Sequence, residues 1–340
     1  MAFEIHRGTN VGGWLSQSKR RGQDRVDFFT RDDVQRIAGW GFDHIRLPVD
    51  EEQLWTEDGK KDSEAFDLLD AALDWCQQAD LRVIVDLHLL RSHHFLTGKE
   101  SPLWTDPSEA EHFGDLWRQL SEHMDGRSED RVAYELLNEA VASDPADWNR
   151  VLRVPLLAIR KREPTRKVLV GSNSFNQPKT YDDLDVPDDR HLILTFHFYY
   201  PMLITHYNAG WTPCKVYDGP VRYPGPWQAD PSVLDALPDS PEKKELQDWN
   251  EPFDAEKMAE TIAQPLAKRT ETGLPLHCGE FGCISKAPLE AREKWFEDVL
   301  GVFESNDIGW SVWSYKGVGF GLVDPDGKPT DIAAVVAPKA

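Results

Sequence analysis

RVIVDLH, residues 82–88, is a short, nearly unbroken apolar run that ends in a histidine. Before it lies Ser63–Ala79, in which Phe66, Leu69, Leu73 and Cys76 recur at helical spacing. An amphipathic helix followed by a short apolar strand is the repeating unit of an α/β protein. KVLVG (167–171) and LILTF (192–196) have the same character, which points to parallel strands buried on both faces. Working outward, the strand-like runs are Ile5–Val11, His44–Val49, Leu81–Leu87, Val132–Leu137, Lys167–Val170, His191–Phe196, Leu274–Cys278 and Ile308–Val312. Helical patterns over Arg31–Trp40, Pro107–Met124, Pro145–Arg162 and Leu289–Ser305 fall between them. Eight alternating units predict a single (β/α)8 TIM barrel, since doubly wound sheets usually have fewer strands. No linker or composition shift divides residues 1–340, so one catalytic domain is expected. The exception to short connections is Phe198–Asn250, a long loop after the sixth strand that is rich in Tyr, Trp and Pro. Aromatics on such a connection predict a wall over a binding cleft, the alternative being an insertion that packs on itself.

Charge and composition narrow the function. With 38 Lys+Arg against 59 Asp+Glu, the 340-residue chain carries a formal net charge of −21. That repels polyanions, so neither nucleic acid nor an anionic membrane surface is an expected partner. No apolar run approaches the roughly 20 residues of a bilayer span. The start, MAFEIHRGTN, lacks the basic and apolar regions of a signal peptide. This predicts a cytoplasmic protein, or a secreted or periplasmic one if a leader has been removed. The 13 Trp fit a protein that stacks indoles on flat sugar faces. Cys76, Cys214, Cys278 and Cys283 have no CxxC spacing and indicate neither zinc nor a disulfide framework.

In a (β/α)8 barrel the C-terminal strand ends carry the site. Here they end in Asn10, Arg46, His88, Asn138-Glu139, Ser172-Asn173, His197 with Tyr199, Glu280 and Trp313. Burying so many polar groups for packing alone would cost several kcal/mol each. Glu139 in ELLNEA and Glu280 in LHCGEFG are paired carboxylates of the kind glycoside hydrolysis requires. One protonates the leaving oxygen while the other attacks the anomeric carbon or activates water. Metal chemistry is not expected: HxH is absent from the first strand end, and His93 and His94 lack HExxH spacing. RGTNVGG is not followed by phosphate-binding spacing, and no GxSxG marks an acyl-transfer serine. No cofactor is expected.

RGTNVGGWLS (7–16), GFDHIRLPV (41–49), VIVDLH (83–88), LLNEA (136–140), HFYYP (197–201), GEFG (279–282) and WSVWSYKG (310–317) together resemble glycoside hydrolase family 5, the cellulase-type clan A barrels. They keep the family order across nearly the whole chain. Ala140 stands where the family usually has proline, which puts the turn after Glu139 in question. The resemblance implies a retaining enzyme, with Glu280 as nucleophile and Glu139 as general acid and then base. It further implies Arg46 and Tyr199 as partners of Glu280 that lower its pKa, and His197 as a partner of Glu139. Asn138 is placed for the sugar 2-hydroxyl, His88 for another hydroxyl, and Trp313 as the platform at the cleavage point.

The expected substrate is a neutral glycan or oligosaccharide, read as β-glucan cut internally or as chain ends removed one at a time. RGTNVGGWL and FGLVDPDGKPT (320–330) resemble family members that act on chain ends or small substrates, and the long connection is long enough to close one end of a cleft, so an exo-glycosidase on small pyranosides or furanosides is the rival expectation to an endo-β-glucanase. A catalytically inactive sugar-binding barrel is the reading of another class. Outer subsite candidates are His93, His94, Trp104, Tyr207, Trp211 and Trp227.

Overall fold

Eight parallel strands close into a ring in chain order. They are β1 (Arg7–Asn10), β2 (His44–Asp50), β3 (Arg82–Leu89), β4 (Val132–Glu135), β5 (Val168–Gly171), β6 (Leu192–Phe198), β7 (Leu276–Phe281) and β8 (Gly309–Val312). This computed structural model describes residues 3–317 and 319–337. It forms the TIM barrel that the strand count predicts.

The period of two along each strand sorts side chains between two environments. On β3, Val83, Val85 and Leu87 face outward into the main core beneath the helices. Ile84, alternating with them, joins Phe3, Ala133, Leu169 and Ile193 as an apolar floor inside the ring. Asp86 and His88 continue that inner face toward the C-terminal mouth, and both are buried. The strands are therefore buried on both faces, as expected, but their inner face turns polar above the floor. That change of polarity positions the site.

Several helices begin at an Asp-Pro step. Asp106 accepts a bond from the Ser108 amide ahead of Pro107–His123, and Asp144 from the Ala146 amide ahead of Pro145–Val151. The aspartate satisfies an orphan N–H, and proline needs none at the first helical position. The helix expected over Pro145–Arg162 is broken at Leu152 into Pro145–Val151 and Arg153–Arg160. Pro155 explains the break, because it has no N–H for the carbonyl four residues earlier.

Phe198–Asn250 is not a bare loop. It holds short helices at Met202–Thr205 and Pro231–Asp235, a longer one at Pro241–Trp249, and a 3-10 turn at Pro213–Val216. Leu203, Cys214, Tyr217, Ala229, Leu234 and Leu246 form its own small core. The insertion both packs on itself and, as described below, walls the cleft. No described helix is long and apolar enough to cross a membrane.

Candidate active site

Arg46, fully buried on β2, sits at the centre of the polar layer. Its Nε donates to Glu135 at 2.7 Å and its Nη2 to the other Glu135 oxygen at 2.9 Å. Nη1 donates to Glu280 at 2.8 Å and to Asn10 at 2.9 Å. Nη2 also reaches Asn138 Oδ1 at 2.8 Å and Asp86 at 3.0 Å. One planar cation thus holds groups from β1, β3, β4 and β7 in fixed geometry, which a lysine's point charge cannot do. Removing it strands three buried carboxyls. Arg46→Met is expected to cost about 3–5 kcal/mol of folding stability, read from urea unfolding. A loss below about 1 kcal/mol would show that the network is not structural.

β7 delivers Glu280 through an irregularity. Its register slips between Cys278 and Phe281, and opposite His197 on β6. The bulge re-aims the side chain into the ring. There Tyr199 Oη donates to Glu280 Oε2 at 2.9 Å while Arg46 holds Oε1. Across the mouth, His197 Nδ1 lies 2.9 Å from Glu139 Oε1 and 3.7 Å from Glu280 Oε2. One carboxylate oxygen of Glu139, one of Glu280 and a His197 nitrogen all fall within 4.8 Å of one another. Inverting carboxyl pairs stand about 6.5–9.5 Å apart to admit a water, and retaining pairs about 5–5.5 Å. The close approach of these carboxyl oxygens agrees with the retaining arrangement.

Burial pushes the Glu139 carboxyl well above the ordinary range, and the nearby Glu280 charge adds to it. Burial raises Glu280 too, against the opposing pull of Arg46 and the Tyr199 hydrogen bond. Arg46 and Tyr199 each lower the Glu280 pKa, as the sequence leads one to expect, but desolvation is the larger effect and the net direction is upward. The order still separates the pair, with the proton favouring Glu139. Burial lowers His197 well below its usual value and His88 to about 3, so both rings are neutral. His88 Nδ1 meets Asp86 at 2.7 Å, and its ring lies parallel to Trp313 with centroids 5.7 Å apart. Asn138, with its Oδ1 taken by Arg46, leaves a buried Nδ2 without a partner among the described residues, as a group awaiting a hydroxyl would.

Glu139, His197 and Glu280 are also donor types that could hold a metal ion. Both Glu280 oxygens are engaged by Arg46 and Tyr199, and Glu139 favours a proton. The arrangement suits two carboxyls sharing acid and nucleophile duty better than a cation.

A cleft of about 640 Å³ opens over this pair. His88, Asn138, Glu139, His197, Tyr199, Glu280 and Trp313 all line it. A match to the cellulase model (glycosyl hydrolase family 5) spans residues 8–319. The chain belongs to glycosyl hydrolase family 5. It is accordingly a retaining glycoside hydrolase, and its substrate is a carbohydrate. Endoglucanase C of Acetivibrio thermocellus is 33% identical over 327 residues, covering 95% of this chain and 94% of that protein. Cellodextrinase A of Ruminococcus flavefaciens is 30% identical over 309 residues, covering 89% and 83%. A crystal structure of a hyperthermophilic endo-β-1,4-glucanase with substrate shares the fold at a TM-score of 0.78. It is 21% identical and covers 99% of this chain and 97% of that one.

This family 5 site differs from the sequence expectation at its edges. Of the six outer candidates, only Trp211 lines the cleft, and it is 52% exposed. His93 is buried, and its Nε2 meets the Glu139 carbonyl at 2.8 Å. Trp104, also buried, packs edge-on against His93 and donates to the Val141 carbonyl at 2.8 Å. Both lie under the turn that follows Glu139. There Ala140 accepts from the Phe175 amide at 3.1 Å, and Asn173 bonds both the N–H and the C=O of Ala142 at 2.8 Å. The turn is held from outside the chain segment, so it does not depend on a proline at 140. Tyr207 spends its hydroxyl on the Gly219 carbonyl at 3.0 Å inside the insertion. Trp227 is covered by the Arg222 guanidinium at 3.9 Å. His94 is exposed outside the cleft, with its Nδ1 accepting from the Leu96 amide. Phe28, Phe95, Phe175, Gln177, Tyr200, His206, Trp249 and Phe320 line the cleft instead.

Proposed function

We propose that this family 5 enzyme is an endo-acting β-1,4-glucanase that also accepts short soluble glucan chains. Glu280 attacks the anomeric carbon, and Glu139 protonates the leaving oxygen and then activates water. Arg46 and Tyr199 hold Glu280, and His197 orients Glu139. Asn138 binds the 2-hydroxyl, His88 a second hydroxyl, and Trp313 carries the sugar at the cleavage point. The observation behind this reading is that the pair lies between two arms of one cleft. Segments after β8, β1 and β3 supply Gly12, Phe28, Phe95 and Lys316, and those after β5 and β6 supply Phe175, Tyr200, Trp211 and Trp249. Sugars can then occupy both sides of the scissile bond. The close separation of the carboxyl oxygens, within 4.8 Å, supports double displacement. The endoglucanase and cellodextrinase names of the relatives support the substrate class. The 340 residues would act as one catalytic domain.

Exo action would require the insertion to cap the cleft. Its Trp211, Thr212, Pro213, Glu245 and Trp249 line the cleft, beside the small core that the insertion builds for itself. Product sizes decide the matter. Early digests of soluble β-1,4-glucan should contain mixed oligosaccharides, and the first-formed anomer seen by proton NMR should be β. Release of one sugar at a time would overturn the endo reading, and an α first product would overturn the mechanism. Binding without turnover of any β-glucan or aryl glycoside would leave the inactive sugar-binding barrel.

A further inference from the structure

At the β1 side of the cleft the charge of the molecule reverses locally. Lys19, Arg20 and Arg21 are consecutive and exposed in a chain of net charge −21. None of the three has a carboxylate within salt-bridge distance among the described residues. Arg20 alone of them lines the cleft, beside Gln17, Phe28 and Lys316. Its guanidinium lies over the Phe28 ring, 4.2 Å from the centroid. Nη1 donates to the Gly13 carbonyl at 2.7 Å and to Ser18 Oγ at 3.3 Å. The other nearby cation is already matched: Lys316 Nζ contacts Asp33 at 2.8 Å and the Phe28 carbonyl at 3.0 Å. The opposite arm carries an acid, Glu245, so the cleft is polarised along its length.

The loop that presents Arg20 is pinned. The Gln17 amide donates to buried Asp50 at 2.6 Å, with Gln17 in the left-handed region at φ 47°. Gln53 Nε2 donates to the Ser18 carbonyl. Arg21 donates to the Arg20 and Glu52 carbonyls at 2.7 and 3.1 Å. Gly22 bonds the Glu64 carboxylate at 3.1 Å. A guanidinium held this way loses little freedom when it binds a planar anion.

We propose that Arg20 makes the β1 arm a subsite for a carboxylate-bearing sugar on an otherwise neutral glucan chain. The inference rests on the glucanase reading above and names a finer preference within it. An isolated uronate differs from the polyanions that the net charge repels. Beyond a Debye length of about 8 Å the distant acids are screened, and the nearest cation dominates. The planar guanidinium matches a carboxylate's two oxygens, and its charge is not spent elsewhere.

The test compares a soluble β-1,4-glucan oligosaccharide with the same material in which a minority of C6 hydroxymethyl groups are oxidised to carboxylates. The parent enzyme should show a kcat/KM about ten-fold higher on the oxidised chains at an ionic strength of about 0.15 M, through KM. The preference should fall toward unity as salt is raised. Arg20→Gln should bring the ratio to about one, while Arg20→Lys, which keeps the charge, should retain part of it and its salt dependence. A parent ratio of one or below overturns the subsite. So does an Arg20→Gln variant that loses both substrates in equal proportion, since Arg20 would then be a platform for neutral sugar. Failure to cleave either chain would overturn the glucanase reading, and the subsite with it. Cleavage of the neutral chain with no preference overturns the subsite alone.

Discussion

Glu280→Gln is expected to lower kcat on a β-glucan oligosaccharide by on the order of 10⁵-fold without unfolding the protein. The amide keeps the shape of the carboxylate, and its oxygen can still accept from Arg46. It cannot attack an anomeric carbon, so no glycosyl-enzyme forms. Stability should move the other way. Burial raises the Glu280 carboxyl in the folded protein, so above its unfolded pKa the ionised form costs folding free energy. A neutral side chain removes that cost near pH 7, and it takes one acid from a network in which Arg46 faces Asp86, Glu135 and Glu280 together. The thermal midpoint of the variant should equal or exceed the parent's. A 2-deoxy-2-fluoro aryl glucoside should label the parent at the Glu280 peptide and leave the variant unlabelled. Wild-type turnover in the variant, or a label on another acid, would remove Glu280 from the mechanism. A melting temperature that falls in step with activity would mean that the loss was structural.

The parts of this site that were legible in sequence are those that end a strand. His88, Asn138, Glu139, His197, Tyr199, Glu280 and Trp313 sit at the C-terminal mouth, where chain order alone identifies them, and line the cleft, while Arg46 lies inside β2 and is fully buried. Asp86 and Glu135 escaped notice because each lies inside a run that scans as apolar. Their outward-facing neighbours, Val85 and Tyr134, satisfy that scan. A stricter period-two count would have found them, since Asp86 is two residues from His88 on the same face. Burial holds both carboxyls up at about 7 despite Arg46, so the network is short of positive charge. The outer subsites were less legible for a different reason. An indole or imidazole on a loop carries no record of whether it faces ligand or backbone, and His93 and Trp104 were claimed by the carbonyls at 139 and 141. Tyr207 and Trp227 were claimed by the insertion, whose own core depends on distant pairings such as Leu203 with Leu246. Those pairings are tertiary and have no local periodicity.

Glu139→Ala separates the two halves of the reaction and supplies the sign of the pH dependence. On an oligosaccharide with a poor leaving group, kcat should fall about 10²–10⁴-fold, the usual worth of a positioned acid. On an aryl glycoside whose phenol leaves without protonation, the first step should survive and the second should become limiting. Hydrolysis of the glycosyl-enzyme then lacks its base. Azide needs no base, so added azide should restore turnover on the aryl substrate and yield a β-glycosyl azide. The parent's kcat/KM should be bell-shaped, since it needs Glu280 ionised and Glu139 protonated. Activity rises as Glu280 deprotonates and falls as Glu139 does, the second limb lying higher because burial and the Glu280 charge both hold that proton. The two limbs belong to the pair as macroscopic values, because the groups interact strongly. With Glu139 gone, the alkaline limb should disappear on the aryl substrate. The acid limb should shift downward, because burial at Glu280 is then eased by the space left behind. An azide product of α configuration, or an alkaline limb that persists unchanged, would assign the acid to a residue other than Glu139.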